Sequence, residues 1–336
     1  MRASVLVTRA SFPDIVDRLR AHFEVSDNPD DTLWTQPELI ARLQGKTAAM
    51  TAGSDRIDAT LLDACPQLRA VCNIGVGYNN IDVEACTSRG VLVTNTPDVL
   101  TNTTADFGFA LMMAAARRIT ESERFLRRGE WVKTGRYDMF IGGDVHGATL
   151  GILGMGRIGQ AIARRAARGF DMQVIYHNRS PLSSEVEANC NARYVDKDTL
   201  LRESDHLIIV VPYSASSHHA IGAQELKQMK SSATLTNIAR GGVVDDAALA
   251  AALAEGSIAA AALDVFEGEP ALHPGLLGLS NVVLTPHIGS ASFATRRAMA
   301  ALCVDNLIAV LGFGATPGKP PTPVNPQVLE RSPASA

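Results

Sequence analysis

The sequence predicts an α/β protein built as two doubly wound, parallel-sheet units. Three observations predict it. Short apolar runs alternate with helix-like stretches along almost the whole chain, a glycine cluster joins one such run to one such helix, and 336 residues are enough for two cores of ordinary size.

In the first unit the strand-like runs are 5–8, 25, 48–51, 70–74 and 91–94. Helical patterns fill 12–21, 37–43, 59–64 and 83–88. Strands separated by helices need crossover connections, which set the strands parallel and cover both faces of the sheet. Residues 102–128, NTTADFGFALMMAAARRITESERFLRR, then read as one long helix with Phe107, Leu111 and Ala114 at helical spacing and arginines toward its end. A strut or dimer surface and an ordinary core helix both fit that stretch.

Residues 149–165, TLGILGMGRIGQAIARR, come next. A strand-like run leads into Gly154, Gly156 and Gly159, and Ile158, Ile162 and Ala166 recur on one face of the helix that follows. In that context G-x-G-x-x-G has a physical meaning. The first glycine makes the tight turn, the second lets a pyrophosphate approach the backbone, and the third lets helix and sheet pack closely. The helix start presents N–H groups and a positive dipole end to the phosphates.

Beyond the glycines, strands are expected at 173–176, 206–211, 233–238, 260–263 and 282–285, with helices between them that include the alanine-rich 246–254. A last helix at 294–311 precedes a Pro-rich stretch, GKPPTPVNPQ, and the ending SPASA, expected to be a mobile tail from residue 323 to 336.

Composition narrows the classes. Hydrophobic residues at 46% and charged residues at 20%, with no apolar run approaching about 18 residues, predict a globular chain without membrane spans. A net charge of −4 gives no basic surface for nucleic acid. The N-terminus shows no apolar signal region, and Cys65, Cys72, Cys86, Cys190 and Cys303 form no C-x-x-C pair, so reduced thiols in a cytoplasm are expected.

An NAD site places an acid about 20 residues past the glycines, on the ribose 2′-OH. Here the strand runs into His177, Asn178, Arg179 and Ser180, with no carboxylate between Asp171 and Glu185. Arg179 and Ser180 suit a 2′-phosphate instead, so NADP(H) is expected over NAD(H).

Three further segments fall at strand ends of the second unit: TNIARGGVVD at 236–245, ALDVFEGEP at 262–270 and LTPHIGS at 284–290. Ligands of open α/β sheets bind at those ends, so an arginine, an acid and a histidine are expected to converge there. With GVGYNNID at 75–82 and the glycine motif, these segments resemble the D-isomer-specific 2-hydroxyacid dehydrogenase family. Within it, NTPDVLTNTTADFGFALMMAAARR, DVHGATLGILGMGRIG, VPYSASSHH and DVFEGEP are most similar to the branch of glyoxylate/hydroxypyruvate and 2-ketogluconate reductases.

The resemblance implies a Rossmann dinucleotide domain, residues 100–290, inserted into a flavodoxin-like substrate domain formed by 1–99 and 291–322, and a homodimer. It implies that Arg240 binds the substrate, that His287 is the acid/base and that Glu269 orients it. Glu267 competes from the same loop, and the family's glutamate-proline pattern favours Glu269. The residue types suit the chemistry. Reduction of a 2-keto acid needs a cation for the carboxylate and a proton for the alkoxide, which guanidinium and imidazole supply near neutral pH.

Resemblance also implies Val76, Gly77 and Arg297 as substrate contacts. For the cofactor it adds Met155, Arg157, Ile158, Val211, Pro212, Ser217, Ile238, Ala239, Asp264 and Gly289 to the glycines, the 177–180 loop, Arg240 and His287. Asn79 stands where relatives often have Asp. Trp131 and the loop 137–140 fit either a lid, over this chain's own pocket or that of a partner subunit, or plain packing. His218 and His219 are adjacent, but no further ligand lies near in sequence, so no metal is expected. The activity implied is NADPH-dependent reduction of glyoxylate, hydroxypyruvate or 2-ketogluconate to D-2-hydroxy acids. A nicotinamide-sensing corepressor-like protein and a NAD-using relative are the alternatives.

Overall fold

The structure, a computed structural model, describes residues 2–331. It divides into two compact units, Met1–Leu100 with Ser292–Ala336, and Thr101–Ala291.

The first unit begins β1 (Ser4–Val7), α1 (Pro13–Arg20), β2 (Glu24–Ser26), α2 (Gln36–Leu43), β3 (Ala48–Thr51), α3 (Ala59–Ala64), β4 (Ala70–Asn73), α4 (Val83–Ser88) and β5 (Leu92–Thr94). Its sheet is parallel, in the order β2-β1-β3-β4-β5. Every residue of β3 and β4 is buried, as a strand covered on both faces requires. Local chemistry sets the helix starts: Pro13 opens α1, while Asp58 and Asp82 accept the N–H groups of Leu61 and Ala85 to cap α3 and α4.

The second unit runs α5 (Thr101–Ala116), α6 (Ile119–Arg127), β6 (Thr149–Leu153), α7 (Arg157–Phe170), β7 (Gln173–His177), α8 (Ser184–Cys190), β8 (Ala192–Tyr194), α9 (Lys197–Glu203), β9 (His206–Ile209), α10 (Ala223–Gln228), β10 (Thr234–Asn237), α11 (Asp246–Glu255), β11 (Ala260–Leu263), α12 (Pro274–Leu277) and β12 (Val282–Leu284). Its parallel sheet has the order β12-β11-β10-β9-β6-β7-β8. The order reverses beside β6, so the turn after β6 lies at the topological switch point. The chain then returns to the first unit through α13 (Phe293–Val310) and α14 (Gln327–Arg331).

Two expectations need correction. The single helix over 102–128 is two, because Arg118 takes a left-handed conformation, φ 51°, and Gly143 N–H caps the Ala116 carbonyl at 2.9 Å. Arg118 pairs with Glu121 in the first turn of α6, its Nε 2.8 Å from Oε2.

The tail expected from residue 323 on is instead packed through Leu329. Val324 N–H donates to the Val93 carbonyl, and the buried amide of Asn325 accepts from Val93 N–H at 2.7 Å and donates to Thr87 Oγ1 and the Val91 carbonyl. Val328 joins the apolar core. Pro-rich sequence cannot build its own ladder, but a single amide side chain completes the open edge of β5. Residues 332–336 of the expected tail lie outside the described residues.

Among the described residues, no helix is long and apolar enough to cross a membrane. All five cysteines are unpaired and buried, and burial pushes the Cys72 and Cys86 thiols up to about 12.

Candidate active site

Every strand of the second unit points the same way, so the turns after β6, β7, β9, β10, β11 and β12 share one edge of its sheet. The glycine turn works by what it lacks. A Cβ on Gly159 would overlap the Gly154 carbonyl, so only glycine lets α7 start this close to β6. Gly154 has φ 102° and stands 2.8 Å from the Val210–Val211 backbone by the same measure. At Gly156 a Cβ would meet nothing within 4 Å. Open backbone beside the first turn of a 14-residue helix is what a dinucleotide pyrophosphate needs, so the residues fit the group.

The Met155 side chain is buried, and its N–H donates to Asn178 Oδ1 at 2.7 Å, which ties the turn to the end of β7. His177 Nδ1 bonds the Val195 carbonyl, and Arg179 and Ser180 are exposed beyond it. Arg157 is exposed and Ile158 half-buried. Ser217 closes the loop after β9 by donating to the Pro212 carbonyl and accepting from Ser214 N–H, with Val211 half-buried behind it. Ile238 and Ala239 are buried, leaving their backbone as the part facing the edge.

The other loops work by what their side chains hold. After β11, Asp264 is 2% exposed and accepts from Thr285 Oγ1 at 2.7 Å and from the N–H groups of Ile288 and Gly289, both at 2.8 Å. Both of its oxygens hold the loop after β12, and Oδ2 keeps acceptor capacity beyond the Gly289 bond. That clamp brackets His287, whose φ of 54° is left-handed and unfavourable for a side chain of this size.

His287 Nδ1 lies 2.8 Å from Glu269 Oε2, and Glu269 Oε1 accepts from Phe266 N–H at 2.9 Å. Burial raises the Glu269 carboxyl, but the His287 and Phe266 hydrogen bonds, with the charges of His287 and Arg240, outweigh it and hold the carboxyl below its ordinary value. A carboxylate only accepts, so Nδ1 carries the hydrogen and Nε2 is the nitrogen left to exchange a proton. The ring is 45% exposed, open to a reactant.

Arg240 follows β10 and donates from Nη1 to the Ala239 carbonyl at 2.7 Å. Burial lowers its guanidinium from the ordinary value while Glu269 acts the other way, and it remains a cation at neutral pH. A Cβ on Gly241 would overlap the Phe266 carbonyl, so this glycine brings the Arg240 turn against the Phe266–Glu269 turn. That close approach is to a segment 25 residues away, which spacing around Arg240 does not reveal.

Glu267 does not compete for His287. It turns away and pairs with His219, Oε2 to Nε2 at 2.9 Å. The fold thus brings His218, His219 and Glu267 together, with one donor atom from each within 4.8 Å of the others, which removes the reason for expecting no metal.

Val76, Gly77 and Arg297 belong to the first unit. The carbonyls of Val76 and Gly77 are held by the amides of Asn95 and Asn73 at 2.8 and 2.9 Å, and neither N–H takes part in those bonds. Asn73 and Asn95 were missed, since an asparagine beside a strand end has many plain roles. Arg297 was expected at a pocket; its guanidinium instead forks onto the carboxylate of Asp14, over the ring of Phe12.

Comparisons with known proteins place the chain among relatives of one family. The family model described as "D-isomer specific 2-hydroxyacid dehydrogenase, NAD binding domain" matches residues 109–289. The chain is 48% identical to a glyoxylate reductase of Thermococcus onnurineus over 332 residues, 98% of each chain. It is 45% identical to glyoxylate/hydroxypyruvate reductase B of Escherichia coli, covering 93% of this chain and 95% of that one. Its structure is similar to that of an NADPH-dependent glyoxylate/hydroxypyruvate reductase of Sinorhizobium meliloti in complex with NADP and malonate, with a TM-score of 0.85, 36% identity, and coverage of 96% and 97%.

Proposed function

The chain belongs to the D-isomer specific 2-hydroxyacid dehydrogenase family, and from that premise we propose that it reduces small 2-keto acids, glyoxylate and hydroxypyruvate first and 2-ketogluconate with them, to D-2-hydroxy acids using NADPH. The observation that carries the reading is the His287–Glu269 pair, half-open at the sheet edge that also holds Arg240 and the glycine turn.

Gly154, Gly156, Gly159 and the start of α7 would hold the pyrophosphate, and Arg179 with Ser180 the 2′-phosphate. When bound, the nicotinamide supplies a hydride to the keto carbon. Arg240 binds the carboxylate and polarises the keto oxygen through its planar fork. His287 gives the Nε2 proton to that oxygen as it becomes an alkoxide, while Glu269 stabilises the imidazolium and keeps Nδ1 protonated. Val76 and Gly77 contribute N–H groups to the carboxylate by family resemblance. The exposed apolar side chains Ile119, Leu126, Trp131, Val132, Tyr137 and Ile141 support a homodimer that covers them, which sedimentation would read as twice the chain mass. The buried, unpaired cysteines support a reducing cytoplasm.

The test is a panel of the three keto acids, each with NADPH and NADH, followed by nicotinamide absorbance. Turnover with none of them sinks the reading and favours a nicotinamide-sensing protein. Arg179→Ala should raise KM for NADPH about tenfold and leave that for NADH unchanged, in keeping with the loss of one charge-assisted bond to an exposed phosphate. Equal effects on both would contradict the 2′-phosphate assignment.

A further inference from the structure

We propose that His218, His219 and Glu267 form a binding site for one divalent transition-metal ion of the Zn²⁺ class, outside the His287–Glu269 pair. The three residues come from the loop after β9 and the loop after β11, 48 residues apart between His219 and Glu267. One donor atom from each lies within 4.8 Å of the others. Donors around a tetrahedral zinc stand about 3.3 Å apart, given metal–ligand bonds near 2 Å. Closing the difference requires the stacked His218 and His219 rings to tilt so that their in-plane lone pairs converge, and the exposed His218 and Glu267 side chains have room to turn.

The surroundings are those of a metal site rather than of a lone ion pair. His219 Nε2 faces Glu267, and its other ring nitrogen, Nδ1, faces Asp245 Oδ2 at 3.8 Å. Metal-bound histidines characteristically direct the second ring N–H to a carboxylate. A shift of the His219 hydrogen from Nε2 to Nδ1 frees Nε2 for the metal and moves the N–H toward Asp245. Asp245 is itself held in place, since its Oδ1 caps α11 by accepting from Ala248 N–H. His218 is positioned in the same manner: Nδ1 bonds Tyr213 Oη at 3.2 Å, and its ring stacks on His219 with centroids 3.9 Å apart.

The charges also suit a dication, with two neutral imidazoles, one ligating carboxylate and the Asp245 carboxylate beside them. Two imidazoles and one carboxylate select zinc-like ions over Mg²⁺ or Ca²⁺, which require oxygen cages. Glu267 sits in the turn that carries Glu269, and its N–H donates to Asp246 Oδ2 at 3.0 Å. Binding there would therefore tie the loop after β9 to the turn that orients His287.

The experiment is calorimetric titration of ZnCl₂ into the chelator-stripped protein. One saturable equivalent is expected. His218→Ala and Glu267→Gln should each weaken it by about tenfold or more, and Asp245→Asn by about tenfold, the usual cost of losing a carboxylate behind a ligating histidine. His146→Ala, a change at an exposed histidine elsewhere on the same unit, should leave binding unaltered. The proposal is overturned if no saturable equivalent is found. It is equally overturned if His218→Ala and Glu267→Gln bind as the parent does, or if His287→Ala alone abolishes binding. Because the readout is binding, it stands or falls separately from the reductase reading.

Discussion

The glycine turn at 154–159 and the loops carrying Asp264, Glu269 and His287 occupy the same edge of one sheet, yet they are made in opposite ways. The turn depends on atoms that are absent: no Cβ at Gly159, where one would overlap the Gly154 carbonyl, and open space at Gly156. The loops depend on atoms that are present, down to the individual oxygens of Asp264 and Glu269. An absence is specified by one residue and its neighbours. A set of side-chain bonds is specified by whichever distant residues the fold delivers. The first kind of site therefore breaks when atoms are added, and the second when they are removed.

The sharpest test of that contrast removes the ring. His287→Ala should lower kcat by about 10²- to 10⁴-fold, the range for a general acid/base, while cofactor affinity in a fluorescence titration stays at the parent value. A parallel loss of cofactor binding would mean that the two regions are not separable. Next comes the reverse change, one added methyl. Gly159→Ala should cost about 1–3 kcal/mol of stability in urea unfolding, as overpacking does, together with cofactor affinity. An unchanged midpoint would show that α7 can retreat from β6.

Asp264→Asn keeps the shape but places an NH₂ group among three donors, those of Thr285, Ile288 and Gly289. The expected cost is about 1–3 kcal/mol, appearing as a lower Tm and a fall in kcat with little change in cofactor affinity. Loss of cofactor affinity as the main effect would place Asp264 at the cofactor. The smallest effect is expected from pH. The Glu269 carboxyl is held below its ordinary value in the folded chain, so its contribution to stability is present above the unfolded pKa and is lost as pH falls through the lower folded value. The Tm difference between the parent and Glu269→Gln should therefore be constant near neutrality and shrink in the acid range. A difference that grows with acid would reverse the sign of the assignment.

The comparison also explains which parts were legible in the sequence. Strands and helices of both units follow from apolar periodicity, and the boundaries of α3 and α4 agree with the pattern because Asp58 and Asp82 mark their starts. The break at Arg118 was not legible, since arginine favours helix and the Gly143 cap comes from outside the segment. The packing of residues 323–329 was not legible either: their composition is that of a linker, and Asn325 at β5 with Val324 and Val328 makes them part of the fold.

At the candidate site, Arg240, Glu269 and His287 were marked by strand-end position and by family resemblance, which also favoured Glu269 over Glu267 beside His287, but the partners of Asp264 and Glu267 were not marked. Asp264 clamps a loop, Glu267 turns to His219, and Glu269 turns to His287. By itself the sequence determined the two α/β units, the glycine turn and the residue types required for keto-acid chemistry, because those rest on spacing within a turn or an element. Only the tertiary structure supplied the contacts themselves, and with them the pairing of Glu267 with His219 and the clamp at Asp264. Those partners lie 18 residues apart for Glu269 and His287 and 48 for Glu267 and His219, and parallel crossovers, not local propensity, bring them together.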